Sequence, residues 1–503
     1  MAACGSDFTV AVTEDGELFA WGDGRDGHLG LGAVLHQQQP ARAGGPELFD
    51  NQRIRLAAAG CRHLAVVAED GAVYTCGSGH CGRLGLGDEQ PRRRLTRVPQ
   101  ALFAGSRVVM VSCGGDHTMA VTAAGHAWTC SYNDYGQLGV GDTANRLGFT
   151  RVDAGQLGGA RIVMAACGWC HSLVVSAEGG VWSFGAGWNG GLGHNDEQDR
   201  LVPTLLAAEV FKGSKIVTVA AGGAHTMAVG VDGALWAWGW GSTGQLGLGD
   251  TNDRLVPTLV GAEEVFGGSQ VRTISCGGDH TLAVTEAGEL WAWGQGAQGR
   301  LGLNDGQDRL VPTRVDPQHF AHAPISAVAA GESHSAAVTA GGALYTWGKG
   351  EAQPTGSQVP GGLGHVDLAN RLVPTLVPRQ LLGGARVGRC HGLREELALA
   401  FAMGTHERLG AGSAAARGVG GRRRSFRAQG KAPAAGREEE GCPYLMMPAD
   451  LVKRVVEAGG WRAEGELGEG VVRLMGGGGR EWRFETRGIV HGGAWKDRWS
   501  KMP

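Results

Sequence analysis

The chain is short of what marks a secreted, membrane-spanning or helical protein. No run approaches the ~18 apolar residues that a membrane span requires, and the opening MAACGSDFTVAV has no basic stretch followed by an apolar core. A soluble chain of the cytoplasm, the nucleus or both is the expectation. Charge is nearly balanced, 46 Lys and Arg against 49 Asp and Glu. Nothing in that balance draws the whole molecule to nucleic acid or to an anionic membrane. No helical period recurs. Ninety glycines are present without the three-residue period of collagen.

What the chain does have is a repeat. Val219 to Val260 reads VAAGGAHTMAVGVDGALWAWGWGSTGQLGLGDTNDRLVPTLV, and Ile274 to Val315 repeats it nearly letter for letter. His63, His117, His171, His225, His280 and His334 recur every 54 or 55 residues, and Phe8 takes that place in the first copy. A fixed period of this length marks a repeat architecture. Copies are assigned to residues 1–56, 57–110, 111–164, 165–218, 219–273, 274–327 and 328–389.

Each copy reads as short strands and tight turns. HTMAV is β-rich, and Asp232-Gly233 is hairpin-turn chemistry. ALWAWG places Trp236 and Trp238 on one face of a second strand. GSTGQLGLGD is a glycine-dense excursion, and RLVPTLV returns as an edge strand, because its proline has no N–H for a ladder. KIVTV, from Lys215, leads into the next copy, whereas no such strand is expected before Cys4. Four strands per copy indicate a propeller blade.

The recurring G-x-x-H-[ST] segment, the DG or EG turn, the W-G pair, G-Q-L-G-x-G-D and the later Val-Pro resemble the repeats of the regulator of chromosome condensation family. The resemblance implies an all-β, seven-bladed β-propeller over residues 1–410, closed by terminal segments. A closing half-copy is assigned to 390–404, where Glu396 to Leu399 falls in register with HTLAV. Either both chain ends enter the closing blade or an eighth partial blade exists; seven blades is the expectation. Residues 411–441, rich in Ala, Gly and Arg, read as a disordered linker. Residues 442–503 read as a tail with a short helix after Pro448 and a hairpin in VVRLMGGGGREWRF.

The candidate chemistry dissolves into the repeat. Six equivalent histidines invite a metal-site reading, but copies one blade apart cannot bring ligands into one small volume. Each imidazole is expected to satisfy a buried backbone group in its own blade. Cys4, Cys113, Cys167 and Cys276 share one repeat position with alanines and read as packing residues. Cys167-Gly168-Trp169-Cys170-His171 mimics a haem-attachment string only because two repeat positions coincide with Cys170. Asp88, Asp142, Asp196, Asp250 and Asp305 read as turn-stabilising residues. No G-x-G sits between a strand and a helix, and no nucleophile–base pair stands apart from the repeat. No catalytic residue, cofactor or metal site is assigned.

Function is therefore sought where copies differ. His63, His117, His171, His225, His280 and His334, with Trp238, Trp293 and Trp347, are assigned to structure. The candidate partner-binding residues are Glu351, Gln353 and Gln358 in an insertion unique to copy 7; Arg92, Arg93 and Arg94 in copy 2; and Trp169 in copy 4. A protein-interaction scaffold or regulatory adaptor is the first expectation. The resemblance implies a second, guanine-nucleotide exchange on a small Ran-like GTPase, by displacement rather than covalent chemistry. A third is photoreception, since a plant ultraviolet-B photoreceptor shares this propeller and places tryptophans in G-W-x-H-[ST] segments of consecutive blades. Here only Gly168 to Ser172 matches; Gly223 and Gly278 hold the next two positions. Ubiquitin-ligase fusions also occur in the family, but the tail here is too short for a HECT-type domain. Nucleic acid is expected to bind weakly at most, through Arg422, Arg423 and Arg424 of the linker.

Overall fold

A computed structural model describes residues 1–261, 265–351 and 359–388, together with the backbone of three short strands further on. The chain divides into two units, residues 1–405 and 406–503. In the first, seven four-stranded antiparallel sheets follow one another, as a seven-bladed propeller requires. Blade 5 shows the pattern. Its four strands are Ile216–Ala221, His225–Gly230, Leu235–Gly239 and Arg254–Leu259, paired in chain order. Because the strands run up and down, the first-to-second and third-to-fourth loops of every blade share one face of the ring, here called the loop face. The hairpin turns and the links between blades share the other.

The KIVTV segment is thus the first strand of the blade containing the histidine that follows it, and each blade begins a few residues before the copy boundary read from sequence. The N-terminal expectation is corrected too: Ala2–Cys4 does form a strand, paired with Phe8–Val12. It is short because the opposite chain end supplies the rest. Thr13 bridges Val387, the place Ile216 takes opposite Gly230 in blade 5. The Gly388 N–H donates to the Val12 carbonyl, and the Met1 amino group donates to the Gly388 carbonyl. Both ends therefore enter the closing blade. The proposed half-copy 390–404, the linker and the tail helix lie outside the described residues. In the second unit, Val471–Gly476 pairs with Arg480–Glu485 as the expected hairpin, and Arg462–Ala463 adds a short third strand.

Burial follows position in the blade. The histidine-bearing strands are buried at every residue, because each blade is packed on both faces by its neighbours. No inside–outside alternation survives there. The fourth strand is the edge, and in RLVPTL only the proline is buried. That proline explains another part of the motif. Gly193, at the tip of blade 4, has φ +82°, and a Cβ on it would lie 3.0 Å from Trp238 Nε1 and 3.2 Å from Pro257 Cδ of blade 5. The tip glycine slots between the tryptophan and proline of the next blade, and only glycine combines that dihedral with that approach.

Trp238 and Trp293 are fully buried in this packing. Trp238→Ala and Trp293→Ala are each expected to lower unfolding free energy by about 3–5 kcal/mol in urea titrations. Near-parental midpoints in both would contradict the packing described.

Candidate functional site

The six histidines do not converge. Each reaches forward to a hydroxyl in the next blade: His63 to Thr118, His117 to Ser172, His171 to Thr226, His225 to Thr281, His280 to Ser335 and His334 to Thr9, with Nε2 to Oγ distances of 2.7–3.0 Å. This corrects the expectation of a backbone partner within the same blade. The hydroxyl then donates back to a carbonyl at the tip of the blade that carries the histidine; Thr281 of blade 6 gives its proton to the Gln245 carbonyl of blade 5 at 2.9 Å. A hydroxyl has one proton to give, so it accepts from Nε2–H. The imidazole is therefore the Nε2–H tautomer. The same carbonyl takes a second bond from an indole: Trp293 Nε1 to Gln245 at 2.9 Å, with Trp238, Trp347 and Trp21 alike at their own interfaces.

The interface of blades 1 and 2 is the exception, and both partners change together. Phe8 stands for the histidine and Leu64 for the hydroxyl, both fully buried in one apolar cluster. Replacing both members of a buried polar pair leaves nothing unsatisfied.

The other imidazole nitrogen has no partner at His63, His117, His225 and His280. It faces a glycine: a Cβ on Gly222 would lie 2.3 Å from His225 Cε1 and 2.5 Å from the Gly277 carbonyl of the next blade. Burial therefore holds these imidazoles neutral, with the pKa pushed down to about 3 at His117 and His225 and to about 4 at His171 and His334. The glycines ring a central channel, in which Cys4, Cys113, Cys167 and Cys276 also stand. Burial pushes the Cys4 and Cys167 thiols up to about 12, so they are packing groups rather than nucleophiles. The C-x-x-C-H string is pulled apart, with Cys167 donating to the Ser112 carbonyl and His171 engaged by Thr226. Among the described residues no three His, Cys, Asp or Glu side chains form a metal-ligand set.

The aspartates after the tips do stabilise turns: Asp250 Oδ1 accepts the Asn252 N–H, and Oδ2 takes Arg254 at 2.7 Å. That pair recurs from Asp88–Arg92 to Asp367–Arg371. Arg92 therefore belongs to the common blade, a signal present in the sequence as a repeated Asp and Arg four apart. Arg93 and Arg94 remain specific to blade 2. They are exposed and stand where blade 5 has Leu255 and Val256. Trp169 is 44% exposed at the channel mouth on the loop face. A Cβ on Gly223 would lie 3.6 Å from its indole, so the ring lies over that glycine. Glu351 is half-buried and bridges Pro360 at the base of the insertion; Gln353 and Gln358 lie outside the described residues. The described candidates are not brought into one site: Arg93 and Arg94 lie on the edge strand of blade 2, Trp169 at the channel mouth in blade 4, and Glu351 in blade 7. Sequence reading missed a polar cluster at the mouth, where Asp7 lies 3.5 Å from Lys349 and burial lifts its pKa to about 6.

The RCC1-like domain family matches residues 1–271, and regulator of chromosome condensation (RCC1) repeats match 287–338 and, in a second description, 271–300 and 325–352. The ultraviolet-B receptor UVR8 of Arabidopsis thaliana is 38% identical over 62% of this chain and 69% of its own. The human E3 ubiquitin-protein ligase HERC2 is 30% identical over 75% of this chain, which spans only 8% of that protein. Among solved structures, Prp20p of Saccharomyces cerevisiae, described with its binding to Gsp1p and histones, superposes with a TM-score of 0.61 at 22% identity, covering 73% of this chain and 87% of its own. It supports the fold alone.

The buried imidazoles fix a pH dependence. Unfolded histidine titrates near pH ~6.5, above the folded values. Above that pH both states are neutral and the full stability is present. As pH falls from ~6.5 toward 3, the unfolded chain takes up protons that the folded chain refuses, so stability falls. Urea midpoints should drop steeply below pH ~6.5. His225→Phe combined with Thr281→Leu, copying Phe8 and Leu64, should fold and reduce that slope by about 1.4 kcal/mol per pH unit. An unchanged slope would remove His225 from the linkage.

Proposed function

Because this chain belongs to the RCC1-like family of repeat propellers, we propose that it is a protein-interaction scaffold or regulatory adaptor that presents the loop face of its ring to a protein partner. One observation carries the reading: residues that recur are consumed by contacts between blades or within a blade's own turns, while exposed residues that differ are left on loops and rims. The histidines, buried tryptophans, channel glycines and Asp–Arg pairs all fall in the first group. Trp169, Arg93 and Arg94 fall in the second. A rigid ring with variable loops is suited to recognition.

Nucleotide exchange on a Ran-like GTPase is the second reading, and it is a special case of the first, since a protein surface would do the displacing. The likeness to Prp20p keeps it open without assigning a wedge to named residues. Photoreception is disfavoured by Gly223 and Gly278, which leave the Trp169 indole without the neighbouring indoles that consecutive G-W-x-H segments would supply.

The test uses the full chain. Affinity capture with mass spectrometry identifies partners, and release of fluorescent GDP from a Ran-type GTPase measures exchange. The expected result is a reproducible protein partner whose capture falls with Trp169→Ala or with Arg93→Glu and Arg94→Glu. Accelerated GDP release would assign exchange. Deleting residues 352–358 should leave the melting temperature near parental, because Glu351 and Pro360 already pair at the base and shortening a surface loop costs little. A partner lost on His225→Phe with Thr281→Leu, yet indifferent to every loop-face change, would reverse the division between scaffold and surface.

A further inference from the structure

One sector of the loop face stands apart in both charge and aromatic content. The loop-face loops of blades 3, 4 and 5 carry eight carboxylates and no lysine or arginine, and three arginines open the fourth strands that follow them. The arginines are already taken, Arg146 by Asp142, Arg200 by Asp196 and Arg254 by Asp250. Asp116 is paired with Arg83 of blade 2 at 2.6 Å. Asp134, Glu197, Asp199 and Asp253 are left without a basic partner among the described residues. Asp199 and Asp253 each accept a glycine N–H in their own turn, and Asp253 also accepts the Asn189 side-chain amide at 2.8 Å. Asp134 accepts the Tyr132 hydroxyl at 2.8 Å, which ties that carboxylate to an aromatic ring and leaves its charge unneutralised. Asp134 and Glu197 are exposed.

Aromatic rings are set among these carboxylates. Trp169 and Trp188 are 44% and 46% exposed. The Trp188 ring meets Tyr135 of blade 3 edge-on at 4.5 Å, and Tyr135 meets Tyr132 at 6.2 Å. The tyrosines stand in the third-to-fourth loop of blade 3, Trp188 in the same loop of blade 4, and Trp169 in the first-to-second loop of blade 4. Neither tryptophan belongs to the buried set that joins blades, and their exposure leaves apolar surface in water.

Exposed indole faces on the same loops as carboxylates that no base neutralises complement a guanidinium. It is planar and weakly hydrated, stacks on aromatic rings, and presents a fork of donors to a carboxylate. The same sector repels phosphate. We propose that the loop face of blades 3 to 5 is a docking surface for an arginine-bearing protein segment, with guanidinium groups stacked on Trp169 and Trp188 and their donors directed to carboxylates such as Asp134 and Glu197. The assignment rests on the interaction-scaffold reading and adds the chemistry of the partner.

The probe is a fluorescein-labelled peptide of Arg-Gly-Gly repeats, with its Lys-Gly-Gly counterpart, titrated with the full-length protein by anisotropy at several salt concentrations. The arginine peptide should bind more tightly than the lysine peptide. Trp169→Ala with Trp188→Ala should weaken it by about tenfold or more while keeping its salt dependence. Asp134→Lys with Glu197→Lys should weaken it and flatten the salt dependence. Glu209→Lys, on the opposite face, should change neither. Melting temperatures check folding. Should the tryptophan variant prove unstable, the carboxylate variant carries the test, since both of its side chains are exposed. Absence of binding, equal binding of both peptides, or parental affinity in the sector variants would overturn the proposal. If a captured partner survives in all of those variants, this assignment falls and the scaffold reading stands. If no partner is captured but arginine binding still requires Trp169 and Trp188, the surface stands and the scaffold reading falls.

Discussion

Six of the seven interfaces of the ring each depend on one shared acceptor. A carbonyl at the tip of one blade receives a hydroxyl and, at four of the interfaces, an indole N–H from the next blade; the same hydroxyl is held from behind by the first blade's imidazole. Gln245, with Thr281, Trp293 and His225, shows the full arrangement. All of these groups are buried, so any one left unpaired would cost on the order of 1–3 kcal/mol. The requirement fixes His, Ser or Thr, and Trp at set distances along each copy. It also fixes the glycine before the histidine, because the imidazole edge and the neighbouring carbonyl leave no room for a Cβ. The sequence period is the one-dimensional trace of this contact.

The blade count, the edge position of the proline strand and the burial of the repeated histidines were legible from residues alone, because each is written once per copy. The phase of the blade was less so. KIVTV looks like a connector when copies are aligned on their most similar stretch, yet it pairs with the histidine strand that follows. The partner of each histidine was misassigned because it lies 55 or 56 residues away, or for His334 at the opposite end of the chain. The signal was nevertheless present. The Ser or Thr following each histidine receives the histidine of the preceding blade, and the two copies that break the rule, at Phe8 and Leu64, are consecutive. Arg92 could likewise have been separated from Arg93 and Arg94 by its recurring aspartate. The acidic and aromatic sector was not legible in this way. Its members lie on different loops of three blades, and only the common face of those loops gathers them.

Scaffold and surface are thus built from different residues, although they alternate along the chain. Strand interiors are so constrained by neighbours on both sides that they carry little information specific to a partner. Within the loops, positions other than the tip glycine, the tip carbonyl and the channel glycine are free to vary, because the contacts between blades do not use their side chains. The glycine-floored channel mouth lies between the two classes. Its ring is structural, while the residues standing on it, Trp169 and Glu332 among them, differ from blade to blade.

The junction between blades 1 and 2 shows how the acid sensitivity of the ring is distributed. Six junctions bond an imidazole to a hydroxyl of the next blade. The seventh sets Phe8 against Leu64, yet it too holds an imidazole. Buried His28 lies against the Phe8 ring at 4.5 Å, its carbonyl takes the Cys76 thiol of blade 2, and burial pushes its pKa down. No join is therefore spared as protons accumulate. The closed circle has no arc that acid would leave standing by preference, and it should open as a whole rather than shed blades from one side.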